Sequence, residues 1–361
     1  MRIVIVSGGT GGHIYPGLAI ADEIKKRANN AEILFLGSGE GLESDVVTQA
    51  GYPIKLIRAR ALLRKLSYKA ISAPFVSLIG FFQALAILKK FSPDALVSTG
   101  GYASLPVVLA ARVLGIPIFI QEQNVLPGFT NRLYGRLAKN VFLSFEGSKK
   151  YLNGIVTGNP VRRRILEADR ENSRRGLGYS PGSRVILIMG GSQGARSINE
   201  TIKQTMENRA WNAERGEMRI LHIVGRRDWP RFSDIRWDGY QAVEYLHDMS
   251  AVLAAADLVV SRAGATAIAE FAARGLPMIL VPFPYSAEGH QDLNASLVEA
   301  AGAGITVKND EFTPEKFMAL VSGAKLDLAE MGRASKKLGC PQAAEKIVDL
   351  ILAAGKDKNG T

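Results

Sequence analysis

Residues 3–24 read IVIVSGGTGGHIYPGLAIADEI, and this stretch decides the fold. Its first four residues are apolar and β-branched, as in a strand that is buried on both faces. Glycines at 8, 9, 11 and 12 follow as a tight turn, and apolar residues then recur at helical spacing, at Leu18, Ile20, Ala21 and Ile24. The stretch therefore predicts a strand, a glycine-rich loop and a helix.

The glycine loop is a candidate binding site. Glycines accept positive φ and let a ligand approach the backbone amides, and the following helix points its positive N-terminus at the same place. We therefore expect an anion or a sugar hydroxyl there, with His13 at the rim as a candidate general base. Ile14 breaks the dinucleotide fingerprint, and Leu18 stands where a P-loop requires lysine. The loop alone leaves a binding site and a plain structural turn equally open.

Composition indicates a globular protein with two domains. The chain has 361 residues, of which 47% are hydrophobic. A single cysteine, Cys340, excludes an internal disulfide framework and fits a reducing compartment, and the first residues predict no leader peptide. The net charge of +11 lies mostly in the first 160 residues. Such a basic half suits nucleic acid, an anionic membrane or a phosphorylated substrate, and the absence of a nucleic-acid motif disfavours the first.

Strand-to-helix junctions rich in glycine recur at 95–104, 185–195 and 258–265. Further candidate buried strands lie at 33–36, 116–120, 141–143, 221–224 and 278–281, each separated by room for a helix. This alternation predicts an α/β fold with doubly wound, Rossmann-like parallel sheets. Turn formers near 157–160 divide it into an N-terminal domain, 1–159, and a C-terminal domain, 160–340. Residues 341–361 predict a final helix, whose packing the sequence does not specify.

The segment from Ile71 to Leu88 carries no charged residue. Its apolar residues form two helical stripes, one of Phe81, Leu85 and Leu88 and the other of Phe75, Leu78, Ile79 and Phe82. A length of about 18 residues is compatible with a membrane span, a buried helix or an interfacial helix. Cationic residues on both sides favour the interfacial helix, namely Arg58, Arg60, Arg64, Lys65, Lys69, Lys89 and Lys90.

The loop at 190–195, Gly-Gly-Ser-Gln-Gly-Ala, allows two functions. It matches the nucleophile elbow of a serine hydrolase, with Ser192 as nucleophile, Asp257 as acid and His290 as base. Alternatively its amides and the Ser192 hydroxyl cradle a pyrophosphate at a helix N-terminus. Several equivalent glycine loops in both halves favour the phosphate cradle, because an elbow hydrolase needs only one.

Two further loops carry polar residues suited to a nucleotide sugar. Glu270 follows a glycine junction on a predicted helix, where a carboxylate accepts the hydroxyls of a ribose. Residues 281–295 combine prolines with a polar cluster that includes His290 and Gln291. A solvated helix face and a plain surface loop are the structural alternatives.

Several motifs in chain order carry a family resemblance. They are GGTGGH at 8–13, GGY at 100–102, EQN at 122–124, GNPVR at 158–162, GGSQGA at 190–195, RAGAT at 262–266 and HQDLNA at 290–295. Together they resemble the bacterial peptidoglycan N-acetylglucosaminyltransferases of glycosyltransferase family 28. Members of that family transfer GlcNAc from UDP-GlcNAc to undecaprenyl-pyrophosphoryl-MurNAc-pentapeptide. The resemblance implies the glycosyltransferase-B fold, inversion at the anomeric carbon, and neither an essential metal nor another cofactor; consistently, the sequence contains no Asp-x-Asp motif.

Carried over residue by residue, the resemblance implies a set of substrate contacts. Thr10, Gly11 and Gly12 are expected beside the donor sugar and the acceptor diphosphate. The resemblance implies that Asn124 and Gln291 contact GlcNAc, and that Arg162 and Ser192 contact the nucleotide and its phosphates. The backbone of Leu246 is expected to contact uracil, and Glu270 the ribose. The residues expected along the nucleotide are Ala265, Thr266, Ala267, Ile268, Ala269 and Glu270. His290 stands where some relatives carry glutamine and so departs from the pattern.

The resemblance also implies the reaction and its location. His13, or alternatively Glu122, takes the proton from the 4-hydroxyl of MurNAc during direct displacement. The partners are UDP-GlcNAc, the lipid-linked acceptor and the anionic inner membrane, but not nucleic acid. The protein is expected at the cytoplasmic face as a peripheral protein, with Phe75, Leu78, Ile79 and Phe82 contacting lipid. Another UDP-sugar transferase acting on a glycolipid, the Ser192 hydrolase and a non-catalytic nucleotide-sugar sensor remain as alternatives.

Overall fold

A computed structural model describes residues 1–39, 41–60, 68–191, 193–208, 216–322 and 326–356, without the side chains of 68–74 and 355–356. Ser192, Arg64 and Lys65, together with the side chain of Lys69, lie outside the described residues. The chain divides into two compact units. Unit 1 is Met1–Arg162 together with the segment from Pro341 onward, and unit 2 is Arg163–Cys340.

Unit 1 is built on a seven-stranded sheet in which every neighbouring pair is parallel. Its strands are β1 (Arg2–Val6), β2 (Glu32–Gly37), β3 (Ile54–Leu56), β4 (Ala95–Ser98), β5 (Ile118–Glu122), β6 (Asn140–Leu143) and β7 (Ile155–Val156). The spatial order is β3-β2-β1-β4-β5-β6-β7. The chain thus winds outward in both directions from the pair β1 and β4, which is the doubly wound arrangement expected from the sequence.

Helices cover both faces of this sheet. They are Gly11–Arg27, Glu43–Gln49, Tyr68–Phe91, Ser104–Val113, Phe129–Tyr134 and the final helix Ala343–Lys356, with short 3₁₀ turns at Gly135–Leu137 and Glu146–Lys150. Helices Gly11–Arg27 and Ala343–Lys356 share one core with the sheet. Helices Tyr68–Phe91 and Ser104–Val113 share the core on the other face.

The final helix packs on unit 1, which the sequence did not reveal. Ile347, Val348 and Ile351 are buried in the same core as Ile3 and Ile24. On the surface, Lys26 pairs with Glu345, and Arg27 pairs with Asp349. The chain therefore leaves unit 1, forms unit 2, and returns to complete the core of unit 1.

Unit 2 repeats the design with six parallel strands in the order β10-β9-β8-β11-β12-β13. They are β8 (Arg184–Met189), β9 (Met218–Ile223), β10 (Tyr240–Val243), β11 (Leu258–Ser261), β12 (Met278–Leu280) and β13 (Gly304–Thr306). Its described helices are Arg163–Glu167, Arg170–Gly176, Arg196–Glu207, Ser250–Ala255, Ala265–Ala273, His290–Ala300, Pro314–Ser322 and Leu328–Leu338, with 3₁₀ turns at Trp229–Arg231 and Ala287–Gly289.

The predicted α/β fold class with two doubly wound parallel sheets is confirmed. Each sheet has a switch point, where the strand order reverses, between β1 and β4 in unit 1 and between β8 and β11 in unit 2. Ligands of open α/β sheets bind outside the carboxyl ends of the strands at such points. The loops after β1, β4, β8 and β11 are therefore the candidate ligand-binding loops.

Candidate functional site

Two glycine loops meet at the switch point of unit 1. One follows β1 and the other follows β4, and the Gly8 amide donates to the Gly100 carbonyl at 3.2 Å. Gly101 has φ +88°, and a Cβ placed there would lie 2.4 Å from the Gly8 oxygen. Only glycine fits such a close approach. The two loops therefore form one backbone surface, with the helix Gly11–Arg27 starting at its edge.

His13 lies in the first turn of that helix and is half-buried. Its Nδ1 is 2.9 Å from the Thr99 carbonyl oxygen and 3.2 Å from Oε1 of Gln123. A carbonyl oxygen only accepts, so Nδ1 must carry the proton of the neutral ring. The lone pair is then on Nε2, which is the form of imidazole that acts as a base.

Glu122 ends β5 and is 1% exposed. Its carboxylate accepts from the amide of Asn124 at 2.9 Å, the amide of Gly128 at 3.0 Å and Nδ2 of Asn131 at 2.8 Å. Three N–H groups of the loop that follows β5 thus bond to this one side chain. The carboxylate thereby fixes the loop 122–131 from within.

A pocket of about 240 Å³ opens at these elements of unit 1. His13, Glu122 and Asn124 line it together with Gly100, Arg60 and Asn131. The structure therefore brings together three residues singled out by sequence from distant parts of the chain. Thr10 is the exposed N-cap of the same helix and is followed directly by Gly11 and Gly12.

Arg162 ends unit 1 and is almost fully buried. Its guanidinium carbon lies 3.9 Å from the ring centroid of Tyr15, which is the distance of a cation–π contact. Tyr15 also packs beside Gly11, where an added Cβ would approach its ring to 3.0 Å. The Arg162 charge is thus held beside the glycine loop of unit 1.

The corresponding loops of unit 2 follow β8, β9 and β11. Gly194, at φ +76°, packs so closely that a Cβ would lie 2.2 Å from the Val224 oxygen. At Gly225, whose φ is +87°, an added Cβ would lie 2.3 Å from the Gly194 amide nitrogen. The loops after β8 and β9 are therefore in direct backbone contact.

The predicted nucleotide contacts of unit 2 lie at the carboxyl ends of strands in its sheet. Leu246 follows β10 and is half-buried. The helix Ala265–Ala273 begins after β11 and carries Ala265, Thr266, Ala267, Ile268, Ala269 and Glu270. Thr266 and Glu270 are both buried, whereas Ala267 and Ala269 are partly exposed.

Gln291 and His290 begin the helix that follows the loop after β12. Gln291 accepts through Oε1 from the Phe283 amide at 2.9 Å, so it fixes this loop. His290 holds its Nδ1 2.7 Å from the Ala287 carbonyl. Arg262, after β11, donates to the Val281 carbonyl at 2.9 Å, and burial lowers the pKa of Arg262 to about 10.

The hydrolase alternative is contradicted by the position of Asp257. This residue precedes β11 and accepts from the Val185 amide at 2.7 Å and from Arg174 at 2.5 Å. It therefore lies at the amino end of β8, whereas Gly190 and Gly191 follow the carboxyl end. Six strand residues span about 20 Å, so Asp257 does not orient a base beside that loop.

The two predicted stripes of the helix Tyr68–Phe91 face different surroundings. Phe81, Leu85 and Leu88 pack into the core. Phe75, Leu78, Ile79 and Phe82 are exposed, Phe75 by 71%. Of the helices that the structure describes, none has the length and apolar content needed to cross a membrane.

Sequence reasoning missed Thr99, Gln123 and Asn131, which orient His13 and Glu122. A usable signal was the polar run 121–123 at the end of a strand that is otherwise apolar, since buried polar groups need partners. Within the described ranges, no group of three or more His, Cys, Asp and Glu side chains is placed to hold a metal ion.

Comparison with protein families matches both units. The glycosyltransferase family 28 N-terminal domain matches residues 3–143, and the corresponding C-terminal domain matches residues 185–347. Together these matches cover most of the chain and include every glycine loop described above.

Individual relatives agree over nearly the full length. The UDP-N-acetylglucosamine–N-acetylmuramyl-(pentapeptide) pyrophosphoryl-undecaprenol N-acetylglucosamine transferase of Desulforudis audaxviator is 40% identical, with 99% of each chain covered. The protein of the same name from Desulforamulus reducens is 38% identical over 97% of this chain and 98% of its own. Among solved structures, MurG from Acinetobacter baumannii is 30% identical with a TM-score of 0.73, and 98% of this chain and 99% of that one are covered.

Proposed function

The chain belongs to glycosyltransferase family 28, and from that premise we propose that it catalyses the reaction for which its relatives are named. It transfers GlcNAc from UDP-GlcNAc to undecaprenyl-pyrophosphoryl-MurNAc-pentapeptide, converting lipid I into lipid II in peptidoglycan synthesis. Its two parallel-sheet units form the glycosyltransferase-B fold. The observation that carries this conclusion is the identity of 38–40% to these transferases over 97–99% of the chain.

In the proposed mechanism, unit 1 binds the acceptor and His13 is the general base. Nε2 takes the proton of the MurNAc 4-hydroxyl as that oxygen bonds to the anomeric carbon of GlcNAc. The bond from this carbon to the diphosphate breaks, and UDP leaves with inversion. The Thr99 carbonyl supports this role, because it keeps the proton on Nδ1 and the lone pair on Nε2.

Glu122 is proposed as a positioning residue rather than the base. Its oxygens already accept from Asn124, Gly128 and Asn131. Both oxygens are therefore engaged by N–H groups of the chain's own loop. The carboxylate instead shapes the loop that lines the acceptor pocket.

Unit 2 is proposed to bind the donor. Its switch point offers glycine loops and a helix N-terminus suited to a diphosphate, and Leu246, Glu270 and Gln291 are proposed to bind uracil, ribose and GlcNAc respectively. The backbone amides of Gly191 and Gly194, in the loop after β8, would offset the charge of the departing UDP. We propose that this stabilisation makes a metal ion unnecessary.

The decisive assay measures transfer of labelled GlcNAc to a short-chain lipid I analogue in the presence of a chelator. We expect a disaccharide product that forms with UDP-GlcNAc and not with other UDP-sugars. Preference for another UDP-sugar would make the chain a different glycolipid transferase. UDP binding without acceptor-dependent UDP release would identify a sensor instead, and transfer abolished by the chelator would contradict the metal-free mechanism.

The lipid-linked acceptor also bears on location. Phe75, Leu78, Ile79 and Phe82 expose an apolar face on the helix whose Ser77 lines the acceptor pocket. Exposed Lys89 and Lys90 end the same helix, which suits anionic headgroups. We infer that this face rests on the inner leaflet, so that the protein works as a peripheral protein at the cytoplasmic face of the cell membrane.

Sedimentation with anionic vesicles tests this inference. Replacing Phe75 and Phe82 with serine should lower vesicle binding, because each loses a large apolar surface available to lipid. Ile155→Ser is the matched control, since Ile155 is exposed on the edge strand β7 of the same unit. Equal binding of the double variant and the control would contradict a membrane role for this face.

A further inference from the structure

A network of buried, hydrogen-bonded polar side chains in unit 2 lies next to the loops after β8 and β9. His222, on β9, is fully buried; its Nδ1 is 2.9 Å from the Tyr240 hydroxyl and its Nε2 is 3.0 Å from Oδ1 of Asn199. Asn199 then donates from Nδ2 to the Val224 carbonyl at 3.0 Å and to the Asp228 carboxylate at 2.8 Å. Asn199 is itself fully buried.

Every hydrogen bond in this network has a fixed donor and a fixed acceptor. The Val224 carbonyl and the Asp228 carboxylate only accept, so Asn199 turns its NH₂ group toward them and Oδ1 toward His222. His222 must then donate from Nε2 and accept at Nδ1 from Tyr240. Burial lowers the pKa of His222 to about 3, so the ring stays neutral near pH 7.

This network links the loops after β8 and β9, whose backbones are in contact. Asn199 lies in the first turns of the helix Arg196–Glu207, directly after the loop 190–195. Val224 and Asp228 belong to the loop after β9, whose backbone abuts Gly194. The side chain of Asn199 is therefore a cross-link between the helix that follows one loop and the backbone of the other.

We propose that Asn199, oriented by His222, is a positioning residue for the donor diphosphate; this inference rests on the proposed function. Backbone amides bind an anion only while their N–H groups point at it. Asn199 and His222 act through the backbone that they fix around Gly191 and Gly194. Their loss should therefore weaken binding of the diphosphate and spare binding of the uridine.

Two substitutions of similar size separate the two ends of the His222 ring. A glutamine amide reaches the position of Nε2, so His222→Gln keeps a donor for Asn199. An asparagine amide reaches only the position of Nδ1, so His222→Asn keeps the contact with Tyr240 and loses the contact with Asn199. Asn199→Ala removes the cross-link directly and serves if His222→Asn does not fold.

The measurement is the affinity of the full-length protein for UDP and for uridine, together with KM and kcat for UDP-GlcNAc. We expect His222→Asn and Asn199→Ala to weaken UDP binding by about 10-fold or more, by analogy with the loss of metal affinity when hydrogen-bond partners of metal ligands are removed. Uridine affinity should stay near the wild-type value, kcat should fall in both variants because the same amides offset the charge of the departing UDP, and His222→Gln should retain UDP binding and kcat.

Two results would overturn the inference while the proposed function stands. One is unchanged UDP affinity in both Asn199→Ala and His222→Asn, while the wild type binds UDP and transfers GlcNAc. The other is an equal loss for UDP and uridine, which indicates a purely structural role. A wild-type protein that neither binds UDP nor transfers GlcNAc would overturn the proposed function as well.

Discussion

At His13, the Thr99 carbonyl 2.9 Å from Nδ1 decides which ring nitrogen carries the lone pair. The two residues are 86 positions apart in sequence, and Gln123, the second neighbour of Nδ1, is 110 positions from His13. The motif around His13 was therefore sufficient to nominate the residue. Its protonation state depends on carbonyl and amide groups that only the fold brings to it.

Replacing His13 with alanine tests the base directly. We expect kcat to fall by about 10²–10⁴-fold, the usual contribution of a general base. Affinity for UDP-GlcNAc should be retained, because His13 belongs to the pocket of unit 1 that we propose for the acceptor. Kinetics with saturating acceptor analogue and calorimetry with donor measure the two quantities, and an unchanged kcat removes His13 from the chemistry.

Glu122→Gln distinguishes an anchor from a base. Glutamine places an NH₂ group against donors on Gly128 and Asn131, and each lost hydrogen bond to the charged group weakens the loop by about 1.5–3 kcal/mol. We expect a higher KM for the acceptor, with the pH dependence of kcat unchanged. A pH profile that loses its acidic limb in Glu122→Gln, and keeps it in His13→Ala, would reverse the two assignments.

The lowered pKa of His222 predicts that the folded protein loses stability in acid. Its pKa is lowered to about 3 by burial, against 6.5 for an ordinary histidine, so between these pH values the unfolded state binds the additional proton. Stability from this group is complete above pH 6.5 and is lost as the pH falls toward 3, at up to about 1.4 kcal/mol per pH unit. Denaturant titrations from pH 7 to 4 should show a shallower decline in His222→Gln. Identical slopes would contradict the prediction.

At the scale of elements, strand-loop-helix junctions were the most predictable part of the fold. The apolar run 185–189 and the glycines after it specify a strand and a turn locally, and both are present at Arg184–Met189 and the residues that follow. Loop-to-loop contacts were not predictable. Gly194 needs glycine because of the Val224 carbonyl, which belongs to another strand's loop.

Gly194→Ala should be far more disruptive than Gly178→Ala. Both glycines lie in unit 2 at similar positive φ, +76° and +74°, so both variants bear the cost of about 1–2 kcal/mol for a side chain in that region. Only at residue 194 would the new Cβ clash, 2.2 Å from the Val224 oxygen, because Gly178 has no heavy atom within 4 Å of that position. Thermal unfolding with and without UDP measures both effects. Equal melting temperatures and equal UDP shifts would refute the contact.

For the whole molecule, the sequence predicted two doubly wound domains but left the final helix unplaced. The spacing of Ala344, Ile347 and Ile351 identifies an apolar face. A face of this kind does not say which of two similar units it covers, because both offer apolar surfaces. The fold resolves the question by packing it beside Ile3 and Ile24 of unit 1.

Ile347→Ala should therefore destabilise unit 1, although residue 347 follows the whole of unit 2 in the chain. Ile347 is fully buried, and truncation of such a side chain costs about 2–5 kcal/mol. Hydrogen exchange should show faster opening of β1 and of the helix Gly11–Arg27, while protection of β8 and β11 is kept. Lys346→Ala, one position earlier and exposed, should leave both patterns unchanged. Faster exchange confined to unit 2 in Ile347→Ala would contradict the prediction, because Ile347 packs in the core of unit 1.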